Sequence, residues 1–405
     1  MNNNHQNETG RLNIIAMAPN SWNGPWMNRQ QLLSRLAKKH NIVYTNGLWT
    51  VWDRIQESWK KALPFGKIQL QDGVFIDYSP KYILRWPTIS LIDQFIIRLG
   101  VKRWLKAFND KHTRPRVAYA FHPQFSPYVS DLKPDYVVYH AYDMLSLTPG
   151  WTEDMAKQQM HLLEMANLIV ASSEVIADEL MSLSGKSVEV IPNGADFGAF
   201  SEILKKKNSV PDDLQSIASP RIGYVGNLNL KVDFPLVAKL AKKHPDWNFV
   251  FVGGEGKFDN YTRSGVDDCA KLKNVYFLGE KDYQDIPCYA CNMDVNLMCY
   301  RVGEEVWTRG IYPLKLHEYL ASGLPVVSAK IPSVMPFSEQ VAIAHNPEQW
   351  ETCITAALQG HGAGDFDSRR AVAKLNSWDA RALKLGECLS AMHGAYGDEL
   401  HGLQG

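Results

Sequence analysis

Residues 312–327 read Tyr-Pro-Leu-Lys-Leu-His-Glu-Tyr-Leu-Ala-Ser-Gly-Leu-Pro-Val-Val, a stretch in which a lysine and a glutamate stand three positions apart. Pro313 suits a first helical position, because its ring fixes φ and its missing N–H would have had no partner there. The amides of Leu314 and Lys315 then become unpaired donors at the positive end of a helix dipole, which suits a diphosphate. Lys315 adds a formal positive charge to the same anion. Glu318 lies about one turn on and shares its face. A carboxylate is poorly suited to hold phosphate but well suited to accept hydrogen bonds from ribose hydroxyls. Gly323 ends the helix and Pro325 opens a strand. The same spacing also fits an amphipathic helix with an ordinary surface Glu/Lys pair.

The elements that must position this segment alternate. Residues 11–18 (RLNIIAMA) read as a short buried strand, followed by a turn-rich loop, apolar residues at helical spacing over 27–39, and a strand at 41–45. Strand, helix and strand in so short a span make a βαβ unit and predict a parallel sheet covered by helices. Strands are expected at 116–121, 136–140, 168–171 and 188–191, with helices at 153–166 and 173–183. A second series runs through strands at 221–225, 247–252, 275–278, 295–298 and 325–328, with helices at 234–243, 283–291 and 314–322, and a mostly helical tail. The pattern predicts an α/β chain of two doubly wound, Rossmann-like domains whose carboxyl strand ends face across a cleft. Residues 1–10 read as a disordered leader, 11–200 as the first domain, 201–219 as a linker, 220–375 as the second domain, and 376–405 as a closing helical segment.

Composition limits the alternatives. The 405 residues are 45% hydrophobic and 21% charged, as in ordinary globular proteins. Lys and Arg number 43 and so do Asp and Glu, which argues against a general nucleic-acid coat. The most apolar stretch, 89–101, is broken by Asp93, Gln94 and Arg98, so no run approaches a membrane span. A polar start and six cysteines without a disulfide framework point to a cytoplasmic chain. Cys288 and Cys291 are spaced for metal or redox chemistry, but no second pair or His cluster accompanies them, and a plain helix is expected there. No metal requirement is apparent. The excess lies in 12 tryptophans and 17 tyrosines, many in the first domain and interleaved with lysines.

The 312–327 segment resembles the nucleotide-sugar motif of GT-B glycosyltransferases, P-x-K-x-x-E-Y-x-A-x-G-x-P-V-V. In order along the chain, 191–196 (IPNGAD) is similar to the family's interdomain motif, 221–226 (RIGYVG) to its glycine turn, 275–279 (VYFLG) to the strand before its nucleobase loop, and 376–379 (NSWD) to the motif before a last helix that crosses back to the first domain. The resemblance implies that Pro313, Leu314 and Lys315 hold the diphosphate of a UDP- or GDP-sugar, that Glu318 holds its ribose, and that Thr308 and Tyr312 also belong to the donor site. Gly226 and Asn227 would let backbone approach the phosphates. Retaining members carry a further glutamate eight residues before the ribose-binding one; this chain has Gly310 there. The Pro-x-Lys pattern and the region of Thr308 are closer to bacterial exopolysaccharide glucuronosyltransferases of the xanthan type. That branch assigns the role of general base to Asp143, at the end of a first-domain strand, with His140 the second candidate.

Trp22 and Trp26 are expected to overlook the cleft and stack on an acceptor saccharide or lipid-linked oligosaccharide. Residues 89–108 could dock on a membrane surface or simply pack on the first domain. The resemblance therefore implies sugar transfer in bacterial surface polysaccharide assembly. Other readings are a retaining enzyme without the Asp base, a nucleotide-sugar epimerase, or a two-lobed sugar-binding protein.

Overall fold

The protein, as a computed structural model, is described over residues 10–24, 26–108, 114–148, 150–206, 210–302 and 310–402, with side chains to 394. It divides into two units, one comprising residues up to Pro192 together with those from Ala382 on, the other Asn193–Arg381.

The first unit is built on strands β1 (Asn13–Met17), β2 (Asn41–Thr45), β3 (Lys67–Gln71), β4 (Val74–Tyr78), β5 (Arg116–Ala120), β6 (Tyr136–Ala141), β7 (Leu168–Ala171) and β8 (Glu189–Val190). They order as β3-β4-β2-β1-β5-β6-β7-β8, with β1 paired in parallel to both β2 and β5. Only β3 runs antiparallel, joined to β4 through Asp72 and Gly73. Both turn residues have positive φ, 51° and 79°, as a two-residue hairpin of primed type needs. The interior strands are apolar on both faces because helices cover both, and Ile15, Ala118, Tyr139 and Ile169 are fully enclosed.

In the second unit β9 (Arg221–Val225), β10 (Asn248–Val252), β11 (Val275–Phe277), β12 (Val295–Met298), β13 (Val326–Ala329) and β14 (Ala342–Ala344) order as β11-β10-β9-β12-β13-β14. Every pair is parallel. Chain order reverses at β9, so the crevice beyond its carboxyl end is where an open sheet of this kind accepts a ligand.

Residues 201–219 are not a linker. Helices Phe197–Lys205 and Asp212–Gln215 occupy much of that segment. Phe200, Leu214 and Ile217 are buried in the core of the second unit, which accounts for the ordering of a stretch without strong periodicity. The segment 193–196 is tied to the end of the same unit: Ala195 N–H donates to Asn376 O, and Trp378 N–H donates to Ala195 O. Helix Trp378–Gly402 follows, and from Ala382 it is part of the first unit.

Candidate functional site

Strands β9 and β10 are each followed directly by a glycine. Gly226 has φ +135° and Gly253 φ +150°, where side chains are strained. Gly226 N–H donates to Val252 O (2.7 Å) and Gly253 N–H to Gly279 O (2.8 Å), which locks the two turns side by side. A Cβ on Gly253 would run into the Gly226 carbonyl, and one on Gly226 would lie 2.6 Å from Lys315 Cε. The Lys315 ammonium sits 4.6 Å over the Tyr224 ring and 5.8 Å from the centre of the Tyr300 ring. Among the described residues it makes no ion pair. Two aromatic faces thus hold a cation over a bare backbone turn without neutralising it.

Helix Lys315–Ser322 begins one residue after Leu314, which already has helical dihedrals. Pro313 therefore stands before the cap rather than at the first helical position, because Leu316 N–H closes a tight first turn on Pro313 O (3.2 Å). The amides of Leu314 and Lys315 donate to no carbonyl among the described residues. Tyr319 anchors the helix: its hydroxyl accepts from Val225 N–H (2.7 Å) and donates to Val225 O (3.1 Å). Tyr312 is tied to this helix and to the start of the same unit. Its hydroxyl meets His317 Nε2 at 2.8 Å and its carbonyl accepts from the Asn193 amide at 2.7 Å. Burial pushes the Tyr312 hydroxyl up to about 12 and, with Arg381 adding to it, His317 down to about 3.

The Glu318 carboxylate is partly buried and has no hydrogen-bond partner among the described residues. Loss of water raises its pKa to about 7; Lys315 opposes the rise and Asp196 adds to it. Asn227 is exposed beside Gly226. Thr308 lies outside the described residues. Tyr224, Tyr300 and Tyr319 escaped the sequence reading, although Tyr224 and Tyr319 fall inside the two quoted motifs.

In the first unit, Asp143 is exposed two residues beyond β6, and its Oδ1 accepts from Met144 N–H at 3.1 Å. His140 is not available as a base to anything outside the core. It points into the helix-covered sheet with no exposed surface, and its Nδ1 meets the Tyr119 hydroxyl at 2.8 Å. Burial, with Arg29 adding to it, lowers its pKa to about 3. Trp22 is likewise not presented to solvent. At 1% exposure it packs edge-on against Tyr44 (5.0 Å) and Trp26 (6.1 Å). It does form part of the wall of a cavity of about 810 Å³ beyond β1, β2 and β4, with Asn46, Trp49, Ser79, Arg85 and Gln124. Trp26 is partly buried and is not among the lining residues. Arg29, in helix Asn28–Leu36, was missed altogether: it is buried against the Tyr142 ring (4.5 Å), and its Nε and Nη1 have no hydrogen-bond partner among the described residues. Only burial reveals it. Cys288 and Cys291 are free thiols, Cys291 pushed up to about 12 by burial, and no metal-holding group exists among the described residues.

Two Rossmann-like sheets, the second with glycine turns opposed to a lysine-bearing helix start, define the GT-B architecture. Residues 219–359 match the family model described as Glycosyl transferases group 1, and that segment contains Gly226, Lys315 and Glu318. TuaH of Bacillus subtilis (strain 168), whose name assigns it to teichuronic acid biosynthesis as a glycosyltransferase, is 25% identical over 231 residues. The match covers 55% of this chain and 56% of TuaH, so the chain spans a little over half the length of that relative. Anabaena Alr3699/HepE, solved in complex with UDP, is similar with a TM-score of 0.65 at 16% identity, over 94% of this chain and 100% of that one. The E. coli trehalose-6-phosphate structure bound with UDP-2-fluoro glucose gives 0.66 at 11% identity, over 94% and 99%. Likeness of this degree establishes the GT-B fold.

Proposed function

We propose that the chain is a glycosyltransferase that moves a sugar from a UDP-linked donor to a hydroxyl acceptor in bacterial surface polysaccharide assembly. The observation that carries this reading is the unpaired Lys315 ammonium held between Tyr224 and Tyr300 over the Gly226 backbone, with the Glu318 carboxylate one turn away. The UDP ligands of the two solved neighbours support the choice of nucleotide, and the name of TuaH supports the pathway.

In this reading the leaving diphosphate gains charge as the sugar–oxygen bond breaks. Lys315 and the free amides at the helix start stabilise that charge, the form of catalysis in which preorganised donors contribute most. Gly226 lets the backbone approach the phosphates. Glu318 accepts from the ribose hydroxyls and so registers the nucleotide. Asp143 takes the acceptor proton as the hydroxyl attacks, which makes the reaction inverting and follows the xanthan-type resemblance. The alternative of a retaining reaction without an aspartate base is separated from it by the anomeric configuration of the product.

The test is nucleotide release from UDP- and GDP-sugars, with and without saccharide acceptors, for the wild type, Lys315→Ala, Glu318→Ala and Asp143→Asn. Release from UDP-sugar that is lost in Lys315→Ala supports the proposal, and absence of nucleotide binding by the wild type overturns it. Full transfer by Asp143→Asn would remove the aspartate from the mechanism and leave the donor site intact.

A further inference from the structure

Among the described residues, twelve of the 23 exposed large apolar side chains fall between positions 52 and 99. Ile55, Phe65 and Leu91 are 85%, 86% and 81% exposed. Their backbones belong to one neighbourhood. Val51 N–H donates to Arg85 O, Arg85 N–H to Trp49 O and Lys81 N–H to Leu63 O, while Arg103 of helix Ser90–Lys106 reaches Phe65 O.

At several positions in this stretch large apolar side chains stand outside while charged ones turn inward. Partly buried Asp53 and Arg85 line the cavity of the first unit, whereas their neighbours Trp52 and Trp86 are exposed, as is Ile55. Helix Ser90–Lys106 repeats the theme. It buries Asp93, Ile97, Val101 and Trp104 and presents Leu91, Phe95 and Leu99 outward, with Lys102 and Lys106 continuing the same stripe.

Charge completes the pattern. Residues 51–106 carry ten Lys and Arg against five Asp and Glu, in a chain whose total is balanced. Two of those acids, Asp77 and Asp93, are buried in ion pairs with Arg103 and Arg85, and Glu57 pairs with Lys60. The exposed surface is therefore apolar with a cationic border. We infer that this surface docks the protein on the anionic face of a phospholipid bilayer. Aromatic and aliphatic side chains enter the interface, and lysines at its border meet lipid phosphates. The inference goes beyond the proposed reaction and stands independently of it, since docking needs no substrate.

Full-length protein floated with vesicles tests it without reference to activity. Binding is expected to vesicles of phosphatidylcholine mixed with phosphatidylglycerol, weak on phosphatidylcholine alone, and reduced by salt. The Ile55→Glu/Phe65→Glu/Leu91→Glu variant changes only exposed side chains and is expected to lower the partition coefficient about tenfold or more. Lys102→Glu/Lys106→Glu is expected to weaken binding to the anionic vesicles alone. Circular dichroism and the thermal midpoint establish that both variants fold. Failure of the wild type to bind anionic vesicles overturns the inference, as does unchanged binding by the triple apolar variant. Sedimentation velocity showing a dimer that the triple variant dissolves, without vesicle binding, would assign the surface to a second copy and overturn it equally.

Discussion

A carboxyl group withdrawn from water keeps its proton longer, and Glu318, with a pKa near 7, is in that position in the unliganded chain. Between its ordinary value of 4.5 and about 7 the folded chain holds a proton that the unfolded chain has released. Stability therefore falls as pH rises through that window and is constant above it. Glu318→Gln is expected to raise stability at pH 8 by about 2 kcal/mol, after allowance for partial exposure, and to change little near pH 4. Thermal denaturation at the two pH values reads the difference. UDP affinity should run the opposite way. Only the carboxylate accepts two ribose hydrogen bonds, so Kd should rise by up to about tenfold per pH unit below 7, and Glu318→Gln should flatten that profile. Lys315→Met keeps the stem over Tyr224 and removes the charge, and it should weaken UDP binding by about 10- to 100-fold in calorimetry. Lys315 and Glu318 stand out in the sequence because the proposed chemistry asks for both their types and their spacing, and the fold carries them on one helix. His140 and Trp22 were misread because a place near a strand end or in a loop says nothing about which way a ring points: Trp22 is buried between exposed Ser21 and Asn23, and His140 is enclosed with its strand neighbours Tyr139 and Ala141.

Elements hold these residues in register, and here hydrogen bonds outweigh composition. Tyr319 is the one side chain of its helix seen to grip both backbone groups of Val225, directly before the Gly226 turn. Tyr319→Phe leaves a buried amide and carbonyl without that hydroxyl and should cost about 1–3 kcal/mol. It should also loosen UDP binding by letting the helix start drift from the turn; chemical denaturation and calorimetry together separate the two effects. Gly226→Ala tests the turn itself. Its φ resists a side chain and the new methyl would displace Lys315, so nucleotide affinity should fall at least as far as in Lys315→Met. Parallel strands were readable as short apolar runs between glycine turns and helices. Hairpin β3–β4 was not assigned, although Asp72-Gly73 between alternating residues is a strong turn signal. Its strands lie at the sheet edge, where half-exposed Ile68 and Leu70 blur the expected alternation. The segment 201–219 was misjudged for a related reason: among its described residues two buried side chains, Leu214 and Ile217, hold it to the core, with Phe200 just before it, and these are too few to produce a period.

At the scale of the whole molecule the two units differ in how the chain closes them. Residues 193–381 are contiguous and enclose their own core, from Ala195 to Ala373. Their ends are fastened to each other: the backbone of Ala195 exchanges hydrogen bonds with Asn376 and Trp378, and the Gly194 position leaves no room for a side chain against the backbone of 376–378. The first unit is made from two separate lengths of chain. Its final helix supplies Leu385 and Leu389, both fully buried, with Lys384 donating to Val190 O and His393 meeting the Tyr136 hydroxyl. Two buried leucines are worth about 2–5 kcal/mol each when truncated, which is comparable to the net stability of a domain. A fragment of residues 193–381 should therefore fold alone, with a cooperative thermal transition and a UDP Kd within about tenfold of the full chain. A fragment ending at 192 should remain partly unfolded until a peptide of residues 382–402 is added, because the surface left by Leu385 and Leu389 has nothing else to cover it. Circular dichroism follows the recovery. Independent folding of the 1–192 fragment would show that the returning helix is dispensable to its core. A 193–381 fragment that folds but fails to bind UDP would mean that the residues around Lys315 do not suffice for the nucleotide.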